Sequence, residues 1–150
     1  MVSLPDRGSP QTAVNLQFTR GRHGASGRIE WHDRPQGRVA VLALRGWIDL
    51  SAERRIEETL AEIAARGVSQ LVVDCSQLRH VDYRLVPRLV GSLVQFEARA
   101  GATVLCGLSH YLRDLLRLAG CEPQLRCWPS VEELWTSPTA THESTNECAS

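Results

Sequence analysis

The sequence predicts an α/β fold: a mixed, mainly parallel sheet flanked by helices and preceded by an N-terminal hairpin. Three observations carry this. Two short apolar runs, Leu71-Val72-Val73-Asp74-Cys75 and Thr103-Val104-Leu105-Cys106, have the pattern of strands covered on both faces. Segments with a helical apolar period separate and follow them. The turn sequence Arg34-Pro35-Gln36-Gly37 joins two strand-like runs near the start. Strands alternating with helices in this way build parallel sheets through crossover connections.

Taken in order, residues 28–33 and 38–44 are the hairpin strands, and Val39, Val41 and Leu42 make the second apolar enough to be central. Ser51 is placed to cap a helix running to about Arg66, with Gly67 as its terminator. Ile56, Leu60, Ile63 and Ala64 form its apolar stripe, with Glu53, Arg54, Glu57, Glu58 and Glu62 expected largely off it. After the 71–75 strand a second helix carries Leu89, Val90, Leu93, Val94 and Phe96 and ends near Gly101. Ser109 caps a third helix bearing Leu112, Leu115, Leu116 and Ala119, with Gly120 just past its end. A last strand covers 125–128, and a short helix covers 130–135, with Glu132 and Glu133 in its first turn. Ahead of the hairpin, Val14, Leu16 and Phe18 alternate with polar residues, which allows a short strand over 14–18. The expected organisation is a flexible extension over 1–27, a domain over 28–135 and a disordered, Thr/Ser-rich tail over 136–150.

Composition bounds the function. The 150 residues suit one domain, and 43% hydrophobic with 23% charged residues is globular. Seventeen basic and seventeen acidic residues cancel to zero, so the electrostatic footprint of a dedicated nucleic-acid binder is missing. Every basic residue is Arg, which excludes lysine-dependent chemistry such as a P-loop or a Schiff base. The five cysteines form no CxxC pair and read as small apolar core residues in a reduced chain. No signal-peptide pattern and no apolar run of about 18 residues occurs, so a cytoplasmic chain without membrane insertion is expected. No cofactor is implied.

Five local matches, in order, resemble the STAS domain of bacterial anti-sigma factor antagonists. Leu44-Arg45-Gly46-Trp47-Ile48-Asp49-Leu50 resembles Leu-x-Gly-Glu-Leu-Asp-Leu, with Trp47 in place of Glu. Residues 71–76 resemble the Val-Leu-Asp-Leu-Ser strand, and 101–109 the strand leading to a capping Ser. Leu115 to Gly120 resembles a Leu-x-x-x-Gly helix end, and Trp128-Pro129-Ser130-Val131-Glu132-Glu133-Leu134 the closing helix. The resemblance implies a protein-binding regulator of transcription whose partner is an anti-sigma factor kinase or a related regulatory protein. In the family, Asp-Ser-Ser/Thr-Gly-Leu-Gly follows the third strand, and its second hydroxyl residue is phosphorylated. Here the equivalent stretch is Asp82-Tyr83-Arg84-Leu85-Val86-Pro87, so Arg84 stands in the phosphoacceptor place.

That substitution defines the candidate site. Arg84 accepts no phosphoryl group, and its charge opposes the positive end of a helix. Pro87 disfavours helical geometry at Val86, so the helix is expected to start late and leave Tyr83 and Arg84 in an exposed loop. An aromatic beside an Arg is a pairing enriched at interface hot spots. Trp47, Asp49, His80, Asp82, Tyr83, Arg84 and Arg88 are therefore the candidate partner-binding residues, with no catalytic, phosphoacceptor or metal site. Structural roles stand beside this: Asp82 as a helix cap, Tyr83 and Trp47 packed at the sheet edge, Arg84 solvated. Cys75 with His80 and Asp82 matches no metal spacing, and His110 reads as a surface residue. Two further roles remain open: accessory subunit docking on the ATPase of an ABC-type lipid transport system, and small-ligand sensor. Homodimerisation through the hairpin or the Trp residues also stays open.

Overall fold

In the computed structural model, which describes residues 12–121 and 125–136, six strands lie side by side in chain order. They are β1 (Thr12–Gln17), β2 (Ser26–Arg34), β3 (Gly37–Ile48), β4 (Gln70–Val81), β5 (Ala102–Cys106) and β6 (Arg126–Trp128). β1, β2 and β3 pair antiparallel, and β3 to β6 pair parallel. The hairpin closes at Arg34 opposite Gly37, around Pro35 and Gln36, as its turn sequence predicts. Helices α1 (Leu50–Arg66), α2 (Val86–Arg99), α3 (His110–Leu118) and α4 (Val131–Thr136) supply the crossovers and the closing segment.

Ala40, Leu42 and Leu44 of β3, with Leu71 and Val73 of β4, face Ile56, Leu60 and Ile63 of α1 and Leu89, Leu93 and Phe96 of α2. The opposite face of β3 to β5, Val39, Val41, Val72, Val104 and Cys106, lies under Val131 and Leu134 of α4. The central strands are covered on both sides, which is why they read as unbroken apolar runs. Each fully buried Leu or Ile among them, such as Leu42 and Ile56, is worth about 1.5–3 kcal/mol in apolar burial.

Several boundaries differ from expectation, each for a physical reason. α1 is capped by Asp49, not Ser51: Asp49 is extended (φ −104°, ψ −173°) and its carboxylate accepts the Ala52 N–H at 2.9 Å. Asp49→Ala is expected to cost about 1 kcal/mol in denaturant unfolding, and Asp49→Asn only a few tenths. An equal loss in both would show that something other than the cap is being removed. β4 runs on to Val81 instead of ending at Cys75, with register shifts against β3 between Ala43 and Arg45 and again between Gly46 and Trp47. α2 does not start late. Tyr83–Leu85 form a 3-10 turn that leads directly into it, and the Val86 N–H, bonded to the Tyr83 carbonyl, holds Val86 helical (φ −57°, ψ −48°). Pro87 fits in the first turn, where its missing N–H has no intrahelical partner to lose.

The segment expected as a flexible extension contributes, from Thr12 on, an edge strand and two core residues, Phe18 and Ala25. Residues 1–11, the tail from 137 onward and Cys148 lie outside the described residues. Cys75, Cys106 and Cys121 are buried thiols, as small core residues should be. Cys127 is buried as well. Among the described residues no helix is long and apolar enough to cross a membrane.

Candidate functional site

The continuation of β4 past Cys75 creates the site. It places His80 directly beside Trp47 of β3 in the parallel register, with ring centroids 5.0 Å apart. His23, from the loop between β1 and β2, stacks on Trp47 at 4.0 Å with the ring planes 23° apart. On the other side His80 meets Tyr111 in the first turn of α3 at 5.7 Å, and the Tyr111 hydroxyl lies 2.6 Å from His80 Nδ1. Four rings thus form a row across the carboxyl end of the parallel strands, where open α/β sheets place their sites. Beside it His23, Trp47, Ile48, Asp49, His80 and Asp82 line an open groove of about 400 Å³.

The position of His23 is built into the backbone. Gly46 has φ +88°, and a Cβ there would fall 2.0 Å from the Gly24 carbonyl oxygen. The 18–25 loop is closed by Phe18 and Thr19 N–H groups donating to the Ala25 carbonyl at 2.9 and 3.0 Å. The Ala25 N–H donates back to the Thr19 hydroxyl at 2.8 Å. With the loop fixed and seated on Gly46, its imidazole comes to rest on the indole.

Asp82 caps the 3-10 turn: Oδ1 accepts the Arg84 N–H at 3.0 Å, and the Arg84 guanidinium folds back onto the same carboxylate at 3.4 Å. The Arg84 guanidinium, and then its backbone N–H, hold the Asp82 carboxyl below its ordinary pKa. The Arg84 side chain is still 86% exposed, and so screened that the pair adds little stability. Tyr83 is 49% exposed and donates its hydroxyl to the Leu118 carbonyl at 3.3 Å. The 80–83 stretch therefore touches α3 at both ends, through His80–Tyr111 and Tyr83–Leu118.

The sequence-derived candidates divide in two. Trp47, Asp49, His80 and Asp82 share the groove, and Tyr83 and Arg84 follow directly on Asp82. Arg88 sits elsewhere. Its Nε lies 2.9 Å from Glu53 Oε1 and 2.9 Å from Glu57 Oε2, clasping α2 to α1, with the Ser92 hydroxyl 3.4 Å from Glu57. Glu53, expected off the apolar stripe, is fully buried, and its oxygens meet no donor outside that ion pair. Burial, reinforced by the neighbouring Glu57 carboxyl, pushes the Glu53 pKa up to about 7. Hydrogen bonds from Arg88 and with Glu53 pull Glu57 down to about 2.

Cys75 is not poised as a nucleophile. Burial, and then the Asp74 charge, push the Cys75 thiol up to about 12, so the thiolate is strongly disfavoured. His110 is a surface residue, 3.4 Å from Asp114 one turn on. Among the described residues no group of three His, Cys, Asp or Glu is placed to hold a metal ion.

Sequence patterns alone did not reveal His23, Tyr111, Leu50 or Leu118. Glu53 had a visible signal, since it lies three residues before Ile56 and so on the same helical stripe.

Comparison with known proteins agrees with this architecture. No curated relative matches the sequence. An anti-sigma factor antagonist from Mycobacterium paratuberculosis superposes with a TM-score of 0.65 at 18% identity, covering 82% of this chain and 98% of its own. The anti-sigma factor antagonist SpoIIAA in its unphosphorylated form gives 0.54 at 23% identity, covering 70% and 90%. The phosphorylated form of the Bacillus cell fate determinant SpoIIAA gives 0.51 at 23% identity, covering 70% and 94%. At these identities the likeness is one of fold. A family model described as the STAS domain matches residues 31–134, and on that match the chain belongs to the STAS domain family.

Proposed function

We propose that this chain is a non-enzymatic regulator of the anti-sigma factor antagonist kind, which docks a partner protein at the carboxyl end of its sheet without a phosphorylation switch. The partner is an anti-sigma factor kinase or a related regulatory protein. One observation carries this. Among the described residues the large exposed apolar side chains include Trp47, which lines the groove, Tyr111, whose hydroxyl reaches His80 beside it, and Tyr83 in the adjoining 3-10 turn, while Leu50 directly follows Asp49 and Leu118 offers its carbonyl to the Tyr83 hydroxyl. Contiguous exposed apolar surface with aromatic anchors and a polar rim is the composition of a docking face. The fold resemblance to anti-sigma factor antagonists supports the partner class, and Arg84 in the phosphoacceptor place supports constitutive capture.

Truncating a buried aromatic anchor at an interface costs about 2 kcal/mol or more, a roughly 30-fold loss. Trp47→Ala and Arg84→Glu are each expected to weaken partner binding, Trp47→Ala by about that factor, measured by calorimetry with the cognate anti-sigma factor. Affinities unchanged in both would move the interface elsewhere. Incubation with kinase and ATP should leave the 76–90 peptide without phosphate by mass spectrometry; a phosphopeptide there would overturn the constitutive part. The missing phosphoacceptor equally suits docking on an ABC transporter ATPase, and capture of that subunit from the native lysate in place of a kinase would select this second role.

A further inference from the structure

Every sheet that is not closed into a barrel has two edges, each a row of unpaired backbone groups ready to template another strand. In this protein the two edges are treated differently. β6 is three residues long, carries Arg126 and runs into Pro129, so it is short, charged and stopped by a residue that cannot donate. β1 is six residues long, Thr12-Ala13-Val14-Asn15-Leu16-Gln17, and pairs with β2 without a register shift from Thr12 opposite Trp31 to Gln17 opposite Ser26. It contains no charge, no proline and no bulge. Within β1 itself, and among the described residues, none of the devices that blunt a strand edge is present.

The two faces of β1 differ as well. Val14 and Leu16 lie on the helix-bearing face, opposite Ile29 and Gly27 of β2, and Leu16 packs against the main core. Val14 is 46% exposed, an apolar side chain at the open margin of that core. Ala13, Asn15 and Gln17 lie on the other face, where Arg28 donates to the Asn15 amide oxygen at 3.3 Å.

We propose that β1 joins two copies of this chain, edge to edge and antiparallel, about a two-fold axis perpendicular to the sheet. That axis keeps the helix-bearing faces on one side, so residues opposite each other must share a face. Every register centred on a residue satisfies this, and the two centred on Val14 and Asn15 give the longest overlap of the six-residue strand. Centred on Val14, the axis sets Val14 against the copy's Val14 and Thr12 against Leu16; centred on Asn15, it sets Val14 against the copy's Leu16. Both extend the apolar margin across the junction by cross-strand pairs, and both are isologous, so the assembly closes at two. A second copy is the occupant that suits an uncharged strand: no like charges meet when it faces itself. The chain's zero net charge adds no long-range repulsion between copies. The contact uses the open edge of β1 and none of the residues that line the docking groove, so either assignment stands if the other fails.

The test is sedimentation velocity of the full chain from about 10 µM to about 1 mM, the range of a weak but specific contact. The wild type is expected to show a concentration-dependent dimer. Val14→Lys and Val14→Glu, placed at an exposed position, should each weaken the dimer at least about tenfold while leaving the circular dichroism spectrum unchanged, because like charges then face each other across the axis. An equimolar mixture of the two variants should dimerise again. Hydrogen exchange on the wild type supplies a readout free of any variant: amides within 12–17 should gain protection as concentration rises. A wild type that stays monomeric overturns the proposal. So do charged variants that dimerise as the wild type does, a mixture that stays monomeric, or β1 amides whose exchange ignores concentration.

Discussion

Gly46→Ala is expected to destabilise the protein by about 3 kcal/mol or more and to lift His23 off Trp47. Two costs combine. An alanine at φ +88° pays about 1–2 kcal/mol for left-handed backbone geometry. Its Cβ would also lie 2.0 Å from the Gly24 carbonyl oxygen and 3.0 Å from the carbonyl carbon, a clash with backbone that no rotamer relieves. Either β3 or the 18–25 loop must move. The loop is the weaker of the two, because β3 is held by ladders on both sides while the loop is held by its own turn bonds. Gly67 provides the control. It has φ +79°, but a Cβ there meets nothing within 4 Å, so Gly67→Ala should cost only the backbone term. Urea unfolding of both variants, with the ring-current shifts of the His23 protons, separates the two contributions. Equal losses in the two variants would mean that the close approach at Gly46 contributes nothing.

The same position shows what the sequence displayed and what it did not. The α/β class was legible because β4 and β5 are covered on both faces, and burial of that kind leaves a continuous apolar run. Helix stops were legible in Gly67 and Gly120, both at positive φ. The groove was only half legible. Trp47, Asp49, His80 and Asp82 stood out as residues, yet nothing in their spacing set Trp47 beside His80, because that pairing follows two register shifts in the β3–β4 ladder. Those shifts break the period of two: the buried residues Leu78 and Val81 are three apart, and so the stretch reads as loop. His23 was hidden for another reason. It lies in a Gly- and Arg-rich turn with no periodicity, and its place is fixed by the backbone contact at Gly46, which a one-dimensional pattern does not record. Arg88 shows the opposite error. An exposed cation beside the degenerate switch invited an interface role, while the carboxylates it holds lie 31 and 35 residues earlier on another helix.

Those carboxylates make stability depend on pH, with a sign that can be worked out. Glu53 titrates near 7 in the folded protein against an ordinary 4.5, so the folded state holds its proton more tightly. Its contribution is fully present below about pH 4.5 and is lost as pH rises through 7. Glu57, lowered to about 2, works the other way: its contribution is present above 4.5 and lost as pH falls towards 2. The pair is best satisfied near pH 4.5, with one shared proton and one carboxylate facing Arg88. Towards pH 8 a second, fully buried carboxylate must be held on the same guanidinium. Glu53→Gln keeps the shape, imitates the protonated acid and presents an N–H towards Glu57. The variant is therefore expected to match the wild type within about 1 kcal/mol at pH 5 and to exceed it at pH 8, by up to about 3 kcal/mol. Glutamine at this position thus stabilises by removing a charge from the core, as replacing a buried ion by a neutral isostere commonly does. Guanidinium chloride unfolding of both proteins at the two pH values decides it, because all other ionisable groups are common to both and cancel in the difference. If the wild type and Glu53→Gln keep the same stability difference at pH 5 and pH 8, the Glu53 proton has no part in holding α1 to α2.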